Sequence, residues 1–152
     1  MLRDEIKNAL VEAMKSKDAA KVNTLRLVQA AIKQKDIDAR MKGVTDGIDE
    51  AAVLSLLQGM IKQRKESIEM YKQGNREDLV AHEQGEIDVI QTFLPQQMDE
   101  AAITEAIKTV IAETGATSIK DMGKVMGALR SKYAGQMDFG VASGLIKTLL
   151  AG

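Results

Sequence analysis

The sequence predicts an all-α fold, and three observations carry that prediction. Apolar residues recur at three- and four-residue steps through seven stretches, and no stretch sustains the two-residue alternation of a half-buried strand. Good helix-start residues, Asp18, Asp49, Asp99, Ser118 and Asp138, stand just before five of these stretches. The expected arrangement is an N-terminal helical bundle or hairpin of four helices, residues 1–94, followed by a small three-helix unit, residues 95–152.

The first helix is read from Leu2, Ile6, Leu10, Ala13 and Met14, with Asp4 and Glu5 in its first turn, where they suit the helix dipole. After a break at Ser16-Lys17-Asp18, a second runs through Val22, Leu25, Val28 and Ile32 toward Ala39. It stops at Met41-Lys42-Gly43, and Gly43-Val44-Thr45-Asp46-Gly47 supplies loop chemistry. A third, capped by Asp49, turns Val53, Leu54, Leu57, Met60, Ile61, Ile68 and Tyr71 inward and ends at Gly74-Asn75. The fourth starts near Arg76 and carries Leu79, Val80, Ile87, Ile90, Phe93 and Leu94 up to Pro95, the one proline and the expected domain boundary.

Beyond Pro95, Asp99 caps a helix with Ile103, Ile107, Val110 and Ile111, closed by Gly115. Ser118 and Asp121 are spaced as a capping box, which predicts a helix from Ile119 to about Tyr133 with Ile119, Met122, Val125, Met126 and Leu129 on its core stripe. The last helix follows Asp138 and buries Val141, Leu145, Ile146 and Leu149. Gly123 and Gly127 are four apart, as are Gly140 and Gly144. Glycine costs a helix about 1 kcal/mol relative to alanine, so the pairs suggest close packing of the two helices or a thin surface open to a ligand backbone.

Composition bounds the chemistry. Hydrophobic residues make up 45% of the chain but aromatic ones only 3%, so the core is expected to be aliphatic and filled in part by the nine methionines. With no cysteine, disulfides and thiolate sites are excluded. No apolar run reaches the length of a membrane span, and Met1-Leu2-Arg3-Asp4-Glu5 leads straight into an amphipathic pattern. Neither signal peptide nor membrane anchor is therefore expected, and the location expected is cytoplasmic. Fifteen basic and 16 acidic residues precede Pro95 and six of each follow, so any nucleic-acid contact must come from a local patch.

No catalytic constellation emerges. His82-Glu83-Gln84-Gly85-Glu86 begins like a zinc-protease helix but has Glu86 where the second imidazole belongs, and His82 is the one histidine. A weak cation site at Glu83, Glu86 and Asp88 is the remaining alternative to a plain solvated face. Ser67 has no base beside it, and Gly123-Lys124 lacks the earlier glycine of a phosphate loop. No catalytic residue, metal site or cofactor is expected. Candidate phosphate contacts are Arg26, Lys33 and Arg40, seven apart on one helix, Lys65 and Lys72 on the next with Lys62 and Arg64 close by, and Lys120, Lys124, Arg130 and Lys132 in the C-terminal unit. Plain solvation is the competing reading of each group.

Several strings, in order, then carry a resemblance. They are Thr24-Leu25-Arg26, Ala30-Ala31-Ile32-Lys33, Arg64-Lys65-Glu66-Ser67-Ile68 with Tyr71, Asp78-Leu79, Glu86-Ile87, Phe93-Leu94-Pro95, Asp121-Met122-Gly123-Lys124-Val125-Met126 and Gly135-Gln136-Met137-Asp138. Along nearly its whole length the chain resembles the GatB/YqeY family. Members of this length resemble a helical domain joined to the tail of the GatB subunit of the tRNA-dependent amidotransferase, a tail thought to contact tRNA. The chain departs from the family at Gln136, where Arg is frequent, and at Phe139, where a small residue is common. The resemblance implies a non-catalytic tRNA-binding or amidotransferase-associated accessory protein in translation. The alternatives are a protein-interaction module using Met122, Met126 and Met137, and, last, a carbon-nitrogen ligase with glutamine as amido donor. The expected partners are tRNA and a protein of translation.

Overall fold

A computed structural model describes residues 1–151, and among them every regular element is helical. Seven α-helices follow in order: α1 (Leu2–Lys15), α2 (Ala19–Met41), α3 (Glu50–Gln73), α4 (Glu77–Gln91), α5 (Glu100–Thr114), α6 (Met122–Lys132) and α7 (Phe139–Ala151). The chain forms two compact units, Met1–Leu94 and Pro95–Gly152.

In the first unit, α3 and α4 form an extensive pair, and α1 and α2 complete the bundle. Its core is aliphatic, with Ile6, Leu25, Val28, Val53, Leu57, Ile87 and Ile90 at most 1% exposed. The helix starts follow from local chemistry. The Asp18 carboxylate accepts a bond from the Lys21 amide at 3.1 Å and Asp49 from that of Ala52 at 2.8 Å, each satisfying an orphan donor of the first turn. α4 ends at Gln91, so Phe93 and Leu94, expected in the helix, lie in the turn beyond it, half-buried against the core. The residue before a proline is driven out of the α region, and the helix yields a few residues early.

A polar clasp ties the start of α1 to α2 and to the loop before α3. Arg3 donates two bonds to the Asp36 carboxylate, at 2.6 and 2.8 Å, and one to the Ile48 carbonyl at 2.9 Å. The Ile48 amide donates back to Asp36 at 2.8 Å. Gly47, at φ +85°, passes so close that a Cβ there would lie 2.8 Å from Arg3 Nη2 and 2.9 Å from Asp36 Oδ1. The Arg3 bonds, with the Ile48 amide adding to them, hold the Asp36 pKa down from 3.8 to about 2. A carboxyl depressed on folding stabilises the protein above its unfolded pKa and loses that contribution as pH falls through the folded value. The first unit should therefore lose stability between about pH 4 and pH 2, and Asp36→Asn should flatten that part of a denaturation series.

The second unit packs α5, α6 and α7 around Ile107, Val110, Val125, Leu129, Ala142 and Ile146, none of them exposed. Asp99 caps α5 through the Ala102 amide at 2.8 Å, and Gly115 closes it in the left-handed conformation at φ +69°. Met137 is buried at 1% exposure, and Met122 and Met126 pack half-buried against the same core. These methionines fill space and do not form the open partner surface considered above.

Three expectations fail here. Residues 119–121 form a single 3-10 turn ahead of α6, and Ile119, assigned to the core stripe, is 52% exposed. The 3-10 turn advances three residues per turn, so it carries Ile119 off the stripe that α6 continues. Val141 is likewise 43% exposed. The glycine pairs do not mark a close helix crossing: a Cβ at Gly123, Gly127 or Gly144 would meet nothing within 4 Å. Gly→Ala at Gly127 should accordingly stabilise the second unit, by about 0.5–1 kcal/mol, read as a raised denaturation midpoint.

Candidate nucleic-acid interface

The charge of the second unit is divided between its helices. Residues 95–118 hold four carboxylates and the single cation Lys108, whereas residues 119–152 hold five cations and only Asp121 and Asp138. Both aspartates are occupied by backbone amides. Asp121 Oδ2 accepts from Thr117 at 2.9 Å and Ser118 at 3.3 Å, and Asp138 Oδ1 from Gly140 at 2.8 Å and Val141 at 3.4 Å. The bonds from Thr117 and Ser118, with Lys124 adding its charge, hold the Asp121 carboxyl below the usual range. A count over the whole unit, six of each sign, hides this separation.

On α6 the solvent side carries Gly123, Lys124, Gly127 and Arg130, and on α7 it carries Gly140, Gly144 and Lys147. α7 returns alongside α6 and touches the Ile119–Asp121 turn. Arg130 stands over the Phe139 ring, 5.6 Å from its centre, so the aromatic face orients a cation. Among the described residues Lys120 and Lys124 make no ion pair within 4 Å. Lys132 does: Glu113 accepts from its ammonium at 2.6 Å, and that bond raises its pKa. A phosphate at Lys132 must compete with this carboxylate, whereas one at Lys120 or Lys124 meets an ammonium that makes no ion pair within 4 Å among the described residues.

The turn Gly135–Asp138, between α6 and α7, braces the unit from within. The Met98 amide donates to the Gln136 carbonyl at 2.8 Å, and the Gln97 side-chain amide donates to the Gly135 carbonyl at 2.5 Å. Gly135 itself lies at φ +76°. The bonds recorded for Gln136 are made by its backbone, which pins the start of the unit to the turn.

In the first unit the candidate cations have different surroundings. Arg64 is not free: its Nε donates to Glu86 Oε2 at 2.6 Å, its Nη1 to the Met60 carbonyl at 3.0 Å, and the two side chains are 14% and 12% exposed. Two of the strings that carry the family resemblance thus meet in one largely buried ion pair across α3 and α4. Glu86 Oε1 also contacts His82 Nε2 at 2.9 Å. Glu86 is therefore engaged on both oxygens, and no cluster of three metal-ligating side chains forms among the described residues, at Glu83, Glu86 and Asp88 included. Lys65 is exposed on α3, and Arg26, Lys33 and Arg40 are exposed on α2. Arg26 lies 3.9 Å from the sulfur of Met14.

The clasp of Arg3, Asp36 and Ile48 and the Arg64–Glu86 pair are what the sequence reading missed. Each joins residues 12 or more positions apart, for which helical periodicity holds no signal.

Comparison with known proteins agrees with the resemblance. The family model described as Yqey-like protein matches residues 3–150. Among curated relatives, the altered inheritance of mitochondria protein 41, mitochondrial, of Lachancea thermotolerans is 37% identical over 110 residues, 71% of this chain and 57% of the relative. Its namesake in Vanderwaltozyma polyspora is 33% identical over 124 residues, 77% of this chain and 64% of the relative. That of Saccharomyces cerevisiae is 31% identical over 129 residues, covering 79% and 68%. The chain thus spans less than two thirds of the length of the first two.

These names overturn the expected cytoplasmic location, because the relatives are mitochondrial proteins by name. The expectation rested on the lack of an apolar span and on the amphipathic pattern that follows Met1. No described helix is long and apolar enough to cross a membrane, but such a composition suits any aqueous reducing compartment and does not choose among them. With its model matched from residue 3 to residue 150, the chain belongs to the Yqey-like protein family.

Proposed function

We propose that the protein is a non-catalytic accessory module that binds the phosphate backbone of RNA, tRNA being the class its resemblance suggests, through the α6–α7 side of its second unit. The observation that carries this reading is the separation of charge: five cations against two amide-bound aspartates over residues 119–152. Phosphate contacts supply most of the sequence-independent affinity of a nucleic-acid interface, and they need cations not already neutralised by neighbours. Lys120 meets that requirement, Lys124 faces only Asp121, whose carboxylate is already held by two amides, and Arg130 is held ready over Phe139. Gly123, Gly127 and Gly144 lower the surface between the cations, so a sugar-phosphate chain can approach the helices closely.

The test is a titration of labelled tRNA with the full chain across a salt series. Binding through this face predicts that log K falls with log salt by about 0.7–0.9 per phosphate neutralised, and that Lys124→Glu weakens binding and lowers the slope by about 1. No binding at low salt, or a Lys124→Glu variant that binds as the parent does, would remove the proposal.

A further inference from the structure

The solvent side of α2 carries an apolar row that its own unit leaves uncovered. Leu27, Ala30, Gln34, Ile37 and Met41 succeed one another at steps of three and four, the seven-residue repeat that one helix presents to another. All five are exposed, Leu27 and Ile37 at 47% and Met41 at 85%, while α2 meets its own core from the opposite side through Leu25, Val28 and Ile32. Single exposed apolar residues are ordinary. Three large ones in register along one narrow face have the spacing of an interface.

The flanks decide what fits. Arg26, Lys33 and Arg40 each stand one position before a member of the row, at 27, 34 and 41, so a line of three cations borders it. Among the described residues none of the three forms an ion pair within 4 Å, and Asp36, whose carboxyl feels the charge of Arg40, is already held by Arg3. The other flank holds Ala31 and Asp38, and Asp38 accepts a bond from the Gln34 amide at 3.1 Å. A second copy of this chain is a poor occupant. Antiparallel pairing would set the three cations against the same three, and parallel pairing would give one kind of opposite-charge contact, Lys33 to Asp38.

We infer that α2 docks an acidic amphipathic helix of a protein partner, with leucine or isoleucine seated along the apolar row and carboxylates facing Arg26, Lys33 and Arg40. Gln34 interrupts the row at its middle and sets the register, because an amide in an apolar seam is tolerated only opposite a polar group. This surface lies in the first unit and does not depend on the RNA reading. It gives the cations of α2 a different role from those of α6.

The probe is a fluorescent synthetic helix of about four heptads with leucine along its seam and glutamate on both flanks, compared with the same peptide carrying lysine there. Titrated with the full chain at about 0.1 M salt, the glutamate peptide should bind about ten-fold more tightly or better than the lysine peptide. Ile37→Glu should weaken it by about ten-fold, and the combined Arg26→Glu, Lys33→Glu, Arg40→Glu variant should reverse the preference. All four positions are exposed, so circular dichroism should report an unchanged fold. Failure of the glutamate peptide to bind, or equal binding of the two peptides, would overturn the inference. So would self-association, measured by sedimentation and abolished by Ile37→Glu, or loss of tRNA binding in the triple variant with no glutamate-peptide binding by the parent. The first of these assigns the row to a second copy, and the second assigns the cations to RNA.

Discussion

Arg64→Ala should destabilise the first unit by about 2–4 kcal/mol, the loss expected when one partner of a largely buried ion pair is removed. The penalty falls mainly on what remains. Glu86 keeps a 12%-exposed carboxylate whose neighbour at Oε2 is gone, and His82, itself 68% exposed, replaces little of it. Losing the Arg64 bond to the Met60 carbonyl adds a smaller amount. Replacing both partners, as Arg64→Met with Glu86→Leu, should recover most of the loss, because apolar side chains of similar volume suit that site nearly as well. Denaturant titration of the single and double variants reads the comparison. A double variant no more stable than Arg64→Ala would mean that the pair is not the source of the effect.

Gly47→Val should cost about 2–3 kcal/mol by two separate routes. A β-branched residue at φ +85° is strained by about 1–2 kcal/mol. Its Cβ would also arrive within 3 Å of the Arg3 guanidinium and the Asp36 carboxylate. Both side chains can swing away, but only by giving up the bonds that join α1, α2 and Ile48. The variant should therefore lose the pH dependence assigned to Asp36 as well as stability. A Gly47→Val protein that is destabilised yet keeps the full acid sensitivity of the parent would show the clasp intact and the strain acting alone.

What could be read from the sequence was what a helix fixes locally. The caps at Asp18, Asp49, Asp99 and Asp138 each make the expected bond to an amide a few residues on, since a carboxylate before an apolar stripe has few other donors in reach. Lys120, Lys124 and Arg130 lie on exposed surface as their spacing predicts. Pairing was not legible. Glu86 binds Arg64 from 22 positions away and Glu113 binds Lys132 from 19, and only the packing of one helix on another brings them together. The glycines mislead for a related reason. A spacing of four places them on one side of a helix without saying whether that side meets a neighbour or solvent, and here it meets solvent.

The proposed phosphate binding belongs to the α6–α7 face and not to net charge. It is tested most directly by two variants of equal charge change in tRNA titrations at a single low salt concentration. Lys124→Glu with Lys147→Glu alters that face, and Lys62→Glu with Lys72→Glu alters exposed positions on α3. The first pair should weaken binding by about ten-fold or more and the second by less than about two-fold. Equal losses in the two would show that binding follows net charge and not this face.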